Sequence, residues 1–265
     1  MKADFDIASR TYDSVFTFSN IGKAQRDLVF KYINPLLKQG KKLSILELNC
    51  GTGADAIEFG ALGHKVIATD LSKGMIETAI AKPHRQNVTF QQQDINTLAA
   101  ATFNETFDFI FSNFGGLNCL SQQQLLTFFK ETSRLLKPKG KLILVIMPKN
   151  CLWEYFYFSI KCNFKKAKRR NTNESVMANV DGISVETWYY NPKDIVSLTT
   201  KSYRLEKIKP IGLAIPPSYF EKSILAKPAL LSVFKGIDTV LTNKFWAEIR
   251  RSFFNRIHEK PVILQ

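Results

Sequence analysis

The stretch LSILELNCGTGADAIEFGALGHKVIATDL, residues 43–71, carries the reading of the fold. An apolar run from Leu43 to Leu48 stops at Asn49-Cys50-Gly51-Thr52-Gly53, and a helical pattern starts at Ala54. A second apolar run, Lys65 to Ala68, ends in Thr69-Asp70. Strand, glycine turn, helix, strand and acidic tip form the opening unit of a doubly wound α/β sheet that holds a nucleotide at its carboxyl edge.

The flanking sequence continues the alternation. Ile21 to Lys38 has helical spacing, with Ser19 or Asn20 as N-cap and a break near Asn34-Pro35. After the opening unit come a helix over Ser72–Lys82, a strand over Val88–Gln93 closing on Asp94, and a strand over Phe107–Ser112. Ser121-Gln122-Gln123-Gln124 is a capping box for a helix that runs to about Leu136 and stops at Lys137-Pro138-Lys139-Gly140. Lys141 to Met147 is a fully apolar strand. Such regular alternation predicts a parallel sheet covered on both faces.

Composition narrows the class. The 265 residues suffice for one large domain, and 45% apolar with 23% charged content is that of a soluble globular protein. Cys50, Cys119, Cys151 and Cys162 form no CxxC pair, so neither a disulfide framework nor a metal site is expected, and reduced thiols point to the cytosol. No apolar run approaches the length of a transmembrane span. The net charge of +14 is uneven: +5 over residues 1–150 and +9 over 151–265. A basic second half suits nucleic acid, an anionic surface or an acidic partner, although charge alone carries no specificity.

The turn itself selects among nucleotides. Gly51 and Gly53 allow a tight bend and close approach of a ligand. A phosphate loop would follow its last glycine with Lys and Ser or Thr, whereas Ala54-Asp55 stands here, and Asp55 would repel a pyrophosphate. Glu47, Asp70 and Asp94 fall at the ends of the first three strands, where open α/β sheets bind ligands. Asp70 is placed for both ribose hydroxyls and Asp94 for an adenine amino group, while Glu47 favours a positive ligand. A cationic adenosine derivative, S-adenosylmethionine, satisfies all three.

The order E-L-N-C-G-T-G (47–53), Asp70, Q-Q-D-I (92–95), F-D-F-I-F-S-N (107–113) and R-L-L-K-P-K-G (134–140) resembles the class I, small-molecule type of S-adenosylmethionine-dependent methyltransferases over residues 1 to about 148. That resemblance implies a Rossmann-like, doubly wound seven-strand sheet with its last strand antiparallel, plus a C-terminal helix and hairpin lid. It implies one domain: an N-terminal closing segment at 1–42, a cofactor-binding core at 43–150, and lid and final strands at 151–265. By the same resemblance Glu47, Asn49, Cys50, Gly51, Thr52 and Gly53 surround the methionine moiety, Asp70 the ribose, and Leu71 and Met75 the adenine faces. Asp94 and Ile95 hold the adenine edge, and Asn113 lies beside the cofactor. The segment F-D-x-x-A-x-x-Y-D (5–13) resembles the family's closing segment, with Tyr12 over the site and Arg26 as a partner for the methionine carboxylate. The family usually has glycine where Asn49 stands.

Beyond Pro148 the pattern changes. Cys151–Arg170 is helical, aromatic first and basic last; Ser175–Tyr190 is a hairpin about Asp181-Gly182; Pro192–Thr200 is a helix and Tyr203–Ile211 a strand. Helices are expected within 223–255 and an edge strand over Lys260–Leu264. Asn118, Trp153, Tyr157, Trp188 and Tyr189, with Tyr12, are candidates for the acceptor pocket, against the alternative of core packing. The basic run Lys161–Arg170 offers a face to an acyl carrier protein or anionic surface, against the alternative of plain solvation.

No catalytic residue stands out. His64 and His84 fall at the sheet edge opposite the glycine turn and read as surface histidines, and His258 has no readable role. Methyl transfer from a sulfonium needs no base when the acceptor is already an anion or free amine, which favours carboxylate, enolate or amine acceptors. Strand four ends in Asn113-Phe114-Gly115-Gly116, without the Pro-Pro of nucleic-acid amino-methyltransferases, so nucleic acid is not the expected acceptor. The expected activity is methyl transfer to a small organic acceptor, acidic or carrier-bound. An RNA or protein methyltransferase, or a non-catalytic cofactor-binding module, remains the alternative.

Overall fold

The computed structural model describes residues 2–100, 103–180, 183–199, 202–242 and 252–259. In chain order these form α1 (Lys2–Tyr12), a π-helical turn (Asp13–Thr17), α2 (Asn20–Leu37), β1 (Ser44–Leu48), α3 (Ala54–Ala61), β2 (Lys65–Asp70), α4 (Lys73–Ala81) and β3 (Val88–Gln92). Then follow β4 (Phe107–Ser112), α5 (Gln122–Leu135), β5 (Leu136–Ile146), α6 (Leu152–Ile160), α7 (Phe164–Ala167), β6 (Val176–Val180) and β7 (Ile183–Thr187). The chain ends with α8 (Pro192–Thr199), β8 (Tyr203–Ile211), α9 (Pro228–Val240) and β9 (Ser252–Glu259).

The sheet order is β3-β2-β1-β4-β5-β9-β8. The first five strands are mutually parallel, as the alternation predicts, and β9 lies antiparallel between β5 and β8. The order reverses beside β1, so the turn after β1 and the end of β4 border the crevice where such sheets take ligands. Side-chain alternation sends neighbouring residues to opposite faces. Ile45, Phe109, Phe111, Ile143 and Val145 pack with α2, α3 and α9 on one side. Leu46, Leu48, Ile110, Leu142 and Leu144 pack with Leu125, Phe128 and Phe129 of α5 on the other.

Local rules account for the helix limits. Ser19 caps α2 by accepting from the Gly22 amide, and Pro35 lies in the last turn, two residues before the helix ends. The capping box at Ser121 and Gln124 is formed. Two expectations need correction. Lys137–Gly140 is not a simple stop: β5 begins at Leu136 opposite Phe107, Lys139 adopts a left-handed φ of 66°, and regular pairing resumes at Lys141 opposite Phe109. Within 223–255, a 3-10 turn at Ile224–Ala226 and α9 are helical and residues 243–251 lie outside the described residues; from Ser252 the chain is a strand inserted within the sheet, where Ile257 pairs with Leu142 and Leu205. Lys260–Leu264 and the hairpin tip Asp181-Gly182 lie outside the described residues.

Beyond β5, buried polar groups fasten the additions to the sheet. Asp238 of α9, fully buried, accepts from the amides of Leu213, Ala214 and Ile215. Asn118, also fully buried, donates to the carbonyls of Met147 and Trp188 (3.0 and 2.6 Å) and accepts from the Met147 amide (2.9 Å). Its side chain joins the end of β5 to the end of the hairpin. Asn118→Ala takes the side-chain partner from the Met147 amide and the Trp188 carbonyl, while the Met147 carbonyl keeps the Tyr190 amide, and is expected to cost about 2–4 kcal/mol, read as a lowered urea midpoint. An unchanged midpoint would return Asn118 to the role of a ligand contact.

Candidate active site

The carboxyl ends of β1, β2, β3 and β4 enclose a cavity of about 580 Å³. Its floor is the turn after β1. Asn49 and Gly51 both have left-handed φ (56° and 54°), and asparagine is the residue besides glycine that tolerates this well, which explains how the chain departs from a glycine at 49 without losing the turn. The Asn49 side chain donates to Ser112 Oγ of β4 (3.1 Å) and so braces the two central strands. Gly53 serves packing: a Cβ there would lie 2.6 Å from the Phe90 ring.

Asp70 ends β2 and lines the cavity, with Oδ2 accepting from the Gly51 amide (2.8 Å) and Oδ1 from the Ser72 amide (2.9 Å). Burial pushes its carboxyl up, and these amides oppose the shift. Leu71, Met75, Asp94, Ile95 and Asn113 line the same cavity, as their sequence positions imply. Asp94 also accepts from the Asn96 amide (2.8 Å), which turns the chain after β3.

Beneath this floor lies a small space of about 30 Å³ that Glu47, Cys50, Thr52, Arg26 and Asp55 share with Tyr12 and Asn113. Glu47 is 2% exposed and its Oε2 has no hydrogen-bond partner. Burial, reinforced by Asp55, raises its carboxyl well above the usual carboxylate range. Arg26 is committed: its Nε donates to Asp55 Oδ1 (2.7 Å), Nη1 to the Thr17 carbonyl (3.3 Å), and its guanidinium lies over the Phe114 ring. Asp55 accepts from Asn113 Nδ2 as well (2.7 Å), so it organises the turn rather than simply repelling a ligand. Thr52 is spent on a hydrogen bond to Asp13 (2.6 Å).

The N-terminal segment forms one wall. Asp6 accepts from the Gly74 amide (2.9 Å) and the Ser72 hydroxyl at the start of α4, and Asp13 binds Thr52 and Lys82. Two aspartates seven residues apart share one helix face, and here they latch α1 across the site. Burial would raise the Asp13 carboxyl, but Lys82 and Thr52 hold it below the usual value. Tyr12 and Phe5 thereby face the cavity.

At the β4–β5 end the lining is Phe114, Gly115, Gly116, Cys119, Leu120, Met147 and, from the hairpin, Val185 and Thr187. The aromatic candidates lie elsewhere. Trp153 donates to the Leu213 carbonyl (2.9 Å) and packs on Phe220; Tyr157 packs on Tyr219 and Phe220. Trp188 packs against the α5 side of the core, and Tyr189 stacks on Arg170. Asn118 is the staple described above. Sequence reasoning chose the conspicuous aromatics and missed the small and aliphatic lining. Only the hairpin's alternation, which puts Val185 and Thr187 on one face, signalled it.

The histidines stay away. His64 is buried rather than at the surface, its Nδ1 accepts from the Leu43 amide at the opposite sheet edge, and burial lowers its pKa. His84 stacks edge-on to Phe90, and His258 sits within β9 opposite Lys141.

Residues 45–140 match the methyltransferase domain family model. The chain is 32% identical to a malonyl-[acyl-carrier protein] O-methyltransferase of Bacillus cereus over 49% of this chain and 47% of the relative. It is 36% identical to a demethylmenaquinone methyltransferase of Lactococcus lactis over 39% and 41%. The chain thus spans about half the length of the curated relatives it matches. A solved methyltransferase from Methanosarcina mazei shares the fold, with a TM-score of 0.57 at 18% identity over 86% of this chain and 96% of that one. The fold is that of the Rossmann-like methyltransferases. Over residues 45–140 the chain resembles the class I S-adenosylmethionine-dependent methyltransferases.

Glu47 offers a pH test. A carboxyl raised by burial favours the folded state when protonated, so stability is greatest below the ordinary glutamate pKa and falls as pH rises through the raised value. Glu47→Gln is expected to raise the melting temperature in mildly alkaline buffer and leave it unchanged at low pH. Equal effects at both pH values would show that Glu47 is not held protonated.

Proposed function

We propose that the chain transfers the methyl group of S-adenosylmethionine to a small, neutral, predominantly apolar acceptor. The observation that supports this most is the lining of the large cavity: Asp70 and Asp94 at one end, apolar groups at the other, and no Lys, Arg or His among its described lining residues.

Acidic groups without a balancing cation fit a cationic nucleoside and disfavour phosphates. In this reading Asp70, already aimed by two amides, takes the ribose hydroxyls, Asp94 the adenine edge, and Leu71, Met75 and Ile95 the adenine faces. The unpartnered Glu47 oxygen and Asn49, Cys50 and Gly51 surround the cationic end. Arg26 acts through Asp55 rather than as a free carboxylate partner, a revision of the role that the resemblance implies. S-adenosylmethionine supplies an electrophilic methyl on a sulfonium; the chain's residues orient it, position the acceptor and keep water out. Tyr12 and Phe5 close the wall, and the hairpin covers the acceptor end. The whole of 1–265 works as one unit, with 1–42 as closing segment, 43–150 as core and 151–265 as lid and final strands.

The acceptor end has no ready base. Burial pushes the Cys119 thiol up to about 11 and raises the Tyr12 phenol, so both stay protonated at neutral pH. The acceptor therefore brings its own nucleophile, as an uncharged amine that attacks the methyl group and afterwards releases its proton to water. A carboxylate acceptor would lack a counter-charge here. Similarity to malonyl-[acyl-carrier protein] O-methyltransferases keeps a carrier-bound acceptor as the second reading.

Methyl-labelled S-adenosylmethionine incubated with fractionated cell extract separates these readings. Label is expected in neutral, organic-soluble small molecules, and Asp70→Ala is expected to lower incorporation about 100-fold or more, as loss of a desolvated bidentate contact does. Label confined to acidic carriers, RNA or protein would overturn the proposed acceptor class.

A further inference from the structure

The α6–α7 segment carries a surface that the cavity does not use. Glu154 of α6 faces inward, 3% exposed, where Arg169 (Nη2–Oε1 3.0 Å) and Arg170 both pair with it. Burial opposes its charge, yet the two guanidinium groups hold its carboxyl down to about 2. Arg170 is itself buried against the Tyr189 ring. The arginines that end the basic run are therefore structural, and they lock α6 in one rotation.

That rotation turns the other side outward. At 100° per residue, Tyr155, Phe156 and Ile160 fall on the half of α6 opposite Glu154. They are 48%, 57% and 81% exposed, and Phe164 at the start of α7 is 61% exposed. Four large apolar groups in two adjoining helices form a patch rather than scattered exposure. Lys161, Lys165, Lys166 and Lys168 are exposed beside them, and no carboxylate among the described residues pairs with Lys165, Lys166 or Lys168. Protruding aromatic and aliphatic groups rimmed by exposed lysines match a bilayer with an anionic surface: the apolar groups enter the acyl boundary and the ammonium groups meet the headgroups. An acidic protein or RNA would pair with the lysines and leave Ile160 without a purpose. The segment leaves the carboxyl edge of β5, the edge on which the cavity lies. No described helix is long and apolar enough to cross a membrane, so the contact is peripheral.

We propose that the face formed by Tyr155, Phe156, Ile160, Phe164 and the lysines of α6–α7 docks on an anionic lipid bilayer. The test is sedimentation of the full chain with vesicles of phosphatidylcholine alone or mixed with phosphatidylglycerol, at low and high salt. The expected result is binding to the mixed vesicles only, weakened by salt. Replacing Lys165, Lys166 and Lys168 together by alanine should weaken it about 100-fold. Phe156→Ser with Ile160→Ser should weaken it at least about tenfold. Every substitution is at an exposed position, and melting curves of the variants confirm folding independently of lipid. No binding to mixed vesicles, equal binding by both variants and the wild type, or capture by an acidic carrier protein or RNA without vesicle binding would each overturn the proposal.

Discussion

The carboxylate of Asp70 accepts from the amides of Gly51 and Ser72, and the site depends on that pair of hydrogen bonds. One joins the tip of β2 to the turn after β1, the other to the start of α4. A carboxylate with both oxygens held by backbone cannot rotate, so its remaining lone pairs point in directions set by the sheet. The left-handed turn residues exist to bring the Gly51 amide to that carboxylate, and Asn49 braces the turn from the β4 side.

Charge then decides the ligand class. Glu47, Asp55 and Asp70 crowd the turn, with Arg26 drawn to Asp55. Leaving one Glu47 oxygen unpartnered in a buried position is costly for the folded chain. The N-terminal latch closes the arrangement: Asp6 and Asp13 reach α4, Thr52 and Lys82, so the wall that carries Tyr12 rests on the turn after β1 and on α4.

The parallel core and the acidic end of the cavity were legible because both rest on local signals. Near-continuous apolar runs mark β1, β4 and β5, as strands buried on both faces require, and Asp70 and Asp94 lie where strand ends must fall. The apolar end of the cavity was not legible, because its lining comes from long-range assembly: Met147, Cys119 and the hairpin's Val185 and Thr187 meet through Asn118, whose role as a staple appears only when Trp188 and Met147 are seen beside it. Of the aromatics that drew attention in sequence, Trp153 and Tyr157 pack on Phe220, Trp188 in the α5-side core and Tyr189 on Arg170, and only Tyr12 reaches the cavity. The strand at Ser252–Glu259 escaped detection because it enters the sheet from the far end of the chain, where its partners, not its own pattern, decide its state.

The account rests on an acidic crevice that selects a cationic nucleoside over a phosphate-bearing one. Calorimetric titration of the full chain with S-adenosylmethionine and, separately, with ATP tests this most directly. The account predicts saturable binding of S-adenosylmethionine, weakened at least about tenfold by Asp70→Asn through loss of a charge-assisted acceptor, with no heat from ATP. Binding of ATP comparable to that of S-adenosylmethionine, or affinity unaltered by Asp70→Asn, would contradict it.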